Sequence, residues 1–185
     1  MKKIFFVFII LIVIVSACIN KETENKITKV DSLITETKNL QEKFFAINID
    51  TVNYVFDILN ENMEFLKQEN LTIPNDSELK NKFANYGTIF KFLKKYLKRY
   101  NGLQKEISFS ENHLIGLKHD IKNDLLNDSL FLKYYNDEKK ILETLTFEVE
   151  QNLNKIEPQI DLFFKINTSV EQFIENSKKL EKIEE

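Results

Sequence analysis

Residues 77–107, SELKNKFANYGTIFKFLKKYLKRYNGLQKEI, decide the fold class. Leu79, Phe83, Tyr86, Phe90, Leu93, Leu97, Tyr100, Gln104 and Ile107 follow one another in alternating steps of four and three. Side chains at that spacing share one face of an α-helix, and a sustained 4-3 alternation is a heptad seam, here interrupted at Gln104. A helix over this stretch would be about 46 Å long at 1.5 Å rise per residue.

The same periodicity extends outward in both directions. Upstream, Ile27, Val30, Ile34, Thr37, Leu40 and Phe44 form one stripe, and Val52, Val55, Leu59, Met63 and Leu66 form another. Ile47-Asn48-Ile49-Asp50 interrupts them, either as a bend or as a new helix capped by Asp50. Pro74 is the clearest break, because it disfavours helix at Ile73, and Asp76 or Ser77 can cap the next helix. Downstream, Ser108-Phe109-Ser110 reads as a short turn, followed by Leu114, Leu117, Ile121 and Leu125. Asn127-Asp128-Ser129 is a second turn. A last stripe runs from Phe131 through Leu142, Val149 and Ile160 to Ile174, with Pro158 bending a helix or opening one. The expectation is an all-α, elongated antiparallel bundle of four to five helices with coiled-coil-like packing, forming a single domain over residues 27–183.

Composition agrees. Three Gly and two Pro in 185 residues fall far below average usage of about 7% and 5%, so tight turns and glycine-rich phosphate loops are scarce. The net charge of −3 argues against nucleic acid as a partner. One cysteine excludes an internal disulfide framework, so packing must supply the stability.

The N-terminus has its own pattern. Lys2 and Lys3 precede an unbroken apolar run from Ile4 to Val15, then Ser16, Ala17 and Cys18. A membrane-spanning helix needs about 20 residues, whereas the core of a signal peptide needs about 7–15. Val15-Ser16-Ala17-Cys18 resembles the lipobox of bacterial lipoproteins. That resemblance covers the first 18 residues and implies a signal peptide over 1–17, cleavage between Ala17 and Cys18, and acyl chains such as palmitate on Cys18. Residues 18–26 would then be the lipidated cysteine and a flexible tether. Ile19 in place of the inner-membrane-retaining Asp points to the outer membrane. Lys21-Glu22-Thr23-Glu24 resembles an export signal that some Gram-negative groups use for surface display, so the module would face either the periplasm or the cell surface. As a whole the chain resembles small helical envelope lipoproteins of AT-rich Gram-negative bacteria.

No catalytic motif accompanies this anchor. His113 and His119 lie six residues apart, on different sides of a helix, and cannot share a metal from one face. Asp120 and Asp124 fall one turn apart, as acids on a solvated helix face do. Gly87, Gly102 and Gly116 are too dispersed to cradle a phosphate. The sharper feature is Lys91, Lys94, Lys95, Lys98 and Arg99, an acid-free basic run on an amphipathic helix. Such a run reads either as a recognition surface for anionic lipid or an acidic partner, or as a solvated bundle face. Asp31-Ser32-Leu33, Asp50-Thr51-Val52 and Asp128-Ser129-Leu130 resemble the acceptor of an envelope O-glycosylation system at Ser32, Thr51 and Ser129, and they are equally good capping sequences.

The expected function is a non-enzymatic, membrane-anchored envelope lipoprotein that binds a protein partner or acts structurally. It would use no catalytic residue, metal, cofactor, small-molecule substrate or nucleic acid. The alternatives are a protective, immunity or chaperone-like lipoprotein, and a carboxylate-based cell-wall hydrolase.

Overall fold

The computed structural model describes residues 21–68 and 76–184, with side chains through residue 179. Four α-helices follow in order: α1 (Lys21–Phe45), α2 (Ile49–Gln68), α3 (Ser77–Lys122) and α4 (Asp128–Glu184). The described residues contain no strand, and the helices pack on one another as an all-α bundle. The anchor segment with Ala17 and Cys18, and the break at Pro74, lie outside the described residues.

Helix starts follow from side-chain caps. Asn48 Oδ1 accepts the Thr51 N–H (3.0 Å), so Asn48 rather than Asp50 opens α2. Asp76 Oδ1 accepts the N–H groups of Glu78 and Leu79 at 2.7 and 3.2 Å. Asn127 Oδ1 accepts the Leu130 N–H at 2.9 Å. Each bond satisfies a donor that the first helical turn leaves without a partner. Asp50 and Asp128 instead sit within the first turn, where a carboxylate favours the positive end of the helix dipole. The interruption at 46–48 thus separates two helices. The segment expected to be a tether is helical from Lys21 onward. Lys26 secures it by pairing with Glu22 at 3.0 Å, one turn back, and with Asp128 of α4.

One expected turn is absent, and at Pro158 no new helix opens. Ser108-Phe109-Ser110 lies inside α3. The core residues Ile89, Leu93, Tyr96, Leu103, Ile107, Leu114, Leu117 and Ile121 are buried, and Ser110 occupies a seat in that same register. The seam therefore runs through the serines in phase, and serine's modest helix propensity is no barrier when the neighbours pack. The register also differs by one residue from the sequence reading at three seats: Ile89, Tyr96 and Leu103 point inward where Phe90, Leu97 and Gln104 were expected, so Gln104 interrupts nothing. Pro158 lies within α4, which continues through it. Its missing N–H leaves the carbonyl of Asn154 without a helical donor, but both residues are exposed and water can serve.

The described residues fall into two compact units: 21–40 with 106–145 (unit 1), and 41–68 and 76–105 with 146–184 (unit 2). Both α3 and α4 contribute to each. In unit 2 the α3 segment is antiparallel to α2, as Phe56 stacks on Phe90 at 5.5 Å and Asn62 reaches Tyr86. It is also antiparallel to α4, with Phe83 edge-on to Phe173 at 5.3 Å and Arg99 bound to Glu148. Val52, Val55, Leu59, Ile89, Leu93, Phe163 and Val170 fill the centre. The Tyr86 hydroxyl accepts from Asn62 Nδ2 (2.8 Å) and donates to Asn167 Oδ1 (2.9 Å). Unit 1 buries Val30, Leu33 and Leu40 of α1, Leu114 and Ile121 of α3, and Phe131 and Leu142 of α4. Removing each such side chain from water is worth about 1.5–3 kcal/mol.

Candidate functional site

The basic run of α3 lies in unit 2. Ile89, Leu93 and Tyr96 turn inward. At 100° per residue, Lys91, Lys94, Lys95 and Lys98 fall within an arc of about 100° on the opposite side. All four are exposed. Lys94 Nζ lies 5.6 Å from the centre of the Phe90 ring. No carboxylate among the described residues forms an ion pair with any of the four. Lys105, also exposed, extends the same line, so the stripe from Lys91 to Lys105 covers about 21 Å of helix.

Arg99 departs from this face. It is half-buried and grips Glu148 of α4 with two bonds, Nε to Oε1 at 2.9 Å and Nη2 to Oε2 at 3.1 Å. A two-pronged guanidinium–carboxylate contact fixes geometry as well as charge. Gly102 makes room for it, since a Cβ there would stand 2.7 Å from Arg99 Nη1. Four of the five residues expected as a recognition surface thus form an open cationic face, and the fifth ties α3 to α4. The apolar stripe of this helix is used up in the core of unit 2. The segment therefore has no free apolar face to lay on lipid, and only its charges remain available.

Unit 1 contains a polar cluster that the sequence reading missed. Ser110 and Glu138 are 2% and 8% exposed, and both occupy core seats. Glu138 Oε1 lies 2.9 Å from His113 Nδ1, and Glu138 Oε2 accepts the Ser110 hydroxyl at 3.4 Å. The His113 ring packs on Phe109, with centroids 4.0 Å apart. Asn112, His113, Gly116, Tyr134 and Asp137 line a groove of 420 Å³ beside the cluster. The order of the groups decides their chemistry. An activated serine needs the imidazole on its hydroxyl and the carboxylate behind the imidazole. Here the carboxylate stands between serine and histidine, so the imidazole does not reach the hydroxyl and the order is not that of a serine–histidine–acid triad. The signal was present in the sequence as a charged residue between Phe131 and Leu142 in the heptad register.

The remaining candidates are dispersed. His119 is exposed and approaches only its neighbour Asp120, at 3.3 Å. Asp124 does not share a helix face with Asp120: α3 ends at Lys122, and Asp124 sits beyond it with φ 54°. Gly87, Gly102 and Gly116 are all interior to α3 and form no cradle. No group of three or more His, Cys, Asp or Glu side chains among the described residues is placed to hold a metal. Ser32 is exposed in α1 and donates to Glu36 Oε1 at 3.1 Å. Ser129 is exposed in the first turn of α4, whereas Thr51 is half-buried at the start of α2. No helix among the described residues is long and apolar enough to cross a membrane. The chain matches no protein-family model, no curated protein and no solved structure.

Proposed function

We propose that this chain is an envelope lipoprotein, held at the outer membrane by acyl chains on Cys18, whose helical module binds an acidic protein surface without catalysing a reaction. The anchor reading rests on the charged start, the apolar run and the lipobox-like Val15-Ser16-Ala17-Cys18. The binding reading rests on one observation, the straight face of exposed lysines at 91, 94, 95 and 98 with no carboxylate partner among the described residues. A cationic stripe of this kind favours encounter with a negative partner and sets its register. The order Ser110–Glu138–His113 is not that of a nucleophile triad, because the imidazole does not reach the hydroxyl.

The test is crosslinking in native membranes, comparing the wild-type chain with a variant carrying Gln at positions 91, 94, 95 and 98. The expected result is one defined crosslinked species whose partner presents an acidic face. It should weaken as salt rises and disappear in the variant. Identical crosslinking by both chains would refute the lysine face as the binding element. Ser32 and Ser129 are the exposed acceptors at which glycan would be sought in the same preparation.

A further inference from the structure

α3 closes in a two-bond C-terminal motif. The Leu125 N–H donates to the Asp120 carbonyl (3.0 Å) and the Asp124 N–H to the Ile121 carbonyl (3.2 Å), with Asp124 in the left-handed region. In this motif the next apolar residue usually folds back on the last helical turn. Here the residue it would meet is Asp120, a carboxylate, and Leu125 instead stands 63% exposed. Leu130 and Leu132, in the first turns of α4, are exposed as well. The turn is nonetheless well fixed, because Asn123 Nδ2 donates to the His119 carbonyl (2.8 Å) and Asn127 caps α4. The result is an apolar tip on a determined backbone, left open by the described residues.

The tip lies at the end of unit 1 where α1 begins. Lys26 pairs with Asp128 and stands 5.6 Å from the Phe131 ring, which sets the start of α1 beside the start of α4 in unit 1. Only Ile19 and Asn20 separate Cys18 from Lys21. Three residue steps span at most about 10 Å, and α1 rises about 7.5 Å from Lys21 to Lys26. The Lys26–Asp128 pair and the three residue steps from Asp128 back to Leu125 add about 20 Å, so the tip lies within roughly 40 Å of Cys18. So short a connection gives an effective concentration in the millimolar range, at which a contact too weak to act alone becomes occupied.

We infer that the α3–α4 turn is a second membrane contact: with Cys18 acylated, Leu125, flanked by Leu130 and Leu132, enters the boundary between headgroups and acyl chains and orients unit 1 on the bilayer. This contact rests on the proposed acylation of Cys18. Lys21, Lys26, Lys122 and Lys133 stand against Glu22, Glu24, Asp120, Asp124 and Asp128 around this end, so no excess of positive charge draws it to anionic lipid and the contact is apolar.

The chain contains no tryptophan, so Leu125→Trp introduces a sole reporter at a position already exposed. Phe147→Trp, at an exposed site in unit 2, is the comparison. Full-length protein made with its own leader is reconstituted into phosphatidylcholine vesicles with and without bromines on the upper acyl carbons. Flotation and intact mass establish the anchor independently. Emission from Leu125→Trp should be quenched several-fold more than that from Phe147→Trp, equally in neutral and anionic vesicles and at high salt. Floating, acylated protein with equal quenching at both positions would overturn the docking and leave the anchor standing. Quenching confined to anionic vesicles would assign the contact to charge and also overturn it. Protein that carries no acyl mass and does not float would overturn the anchor and this contact together.

Discussion

Units 1 and 2 draw on the same two long helices and are filled differently. Unit 2 is closed by rings and aliphatic side chains: Phe44 stacks on Tyr100 at 4.7 Å, Phe56 on Phe90, and Phe163 and Ile89 are fully buried. Unit 1 buries Thr37, Ser110 and Glu138, whereas unit 2 buries the hydroxyl-bearing rings of Tyr86 and Tyr96. Unit 1 also turns Phe109, Ile115, Leu125, Leu130, Leu132 and Ile141 outward. A heptad seam of one phase therefore yields a core rich in rings at one place and an aliphatic core with a buried acid at another, while both units leave apolar side chains exposed. Unit 2 has the composition of a stability core. Unit 1 adds a buried Ser110–Glu138 pair to its apolar seam.

The largest effect should come from opening unit 2. Phe163→Ala removes a fully buried ring and should cost about 3–5 kcal/mol in denaturant unfolding. A loss below about 1 kcal/mol would remove unit 2 as the seat of stability. In unit 1 the sign should reverse. Replacing Ser110 by Ala and Glu138 by Leu together exchanges a buried acid and its partner for packed apolar groups. Such exchanges are often neutral or stabilising by about 1–4 kcal/mol, so a raised denaturation midpoint is expected. A clear loss would show that the polar seam holds unit 1 together.

Two tyrosines of unit 2 sharpen the contrast at smaller scale. The Tyr86 hydroxyl is bonded on both sides, and Tyr86→Phe should cost about 1–3 kcal/mol because Asn62 and Asn167 lose their partner. The Tyr96 hydroxyl is buried with no partner among the described residues, so Tyr96→Phe should be neutral or stabilising by about 1 kcal/mol. Burial raises the Tyr86 pKa to about 12. Its contribution is complete below the ordinary tyrosine value near 10 and is lost as the pH climbs through 12, since the unfolded chain ionises first. An alkaline titration should show that loss in the wild type and a reduced one in Tyr86→Phe.

The smallest effects concern glycines in α3. A Cβ at Gly87 meets nothing within 4 Å, so Gly87→Ala should add about 0.8–1 kcal/mol of helix propensity. Gly102→Ala should gain less, because its methyl displaces the Arg99 guanidinium from Glu148. Equal gains at both positions would mean that the Arg99–Glu148 contact contributes nothing.

Helix class was legible because periodicity is a property of the chain itself. Asp76 as a cap and the cationic face at Lys91, Lys94, Lys95 and Lys98 came from local chemistry. What escaped reading depends on partners distant in sequence. Ser108-Phe109-Ser110 looks like a turn in isolation, and only a facing Glu138 and the in-phase seam make it helix. Arg99 looks like its lysine neighbours until Glu148, far along the chain, is brought beside it. Lys21–Lys26 reads as a tether until Asp128 receives Lys26. Pro158 reads as a bend or a helix start, because the choice depends on whether the carbonyl it strands faces water.

Everything proposed for the bundle at the membrane depends on Cys18, and intact-mass analysis of protein extracted from the membranes of a Gram-negative host tests that residue most directly. A chain that begins at Cys18 and carries the added mass of a diacylglyceryl group and an amide-linked acyl chain is the predicted result. A chain that retains Met1, or one that begins elsewhere with an unmodified Cys18, would contradict it.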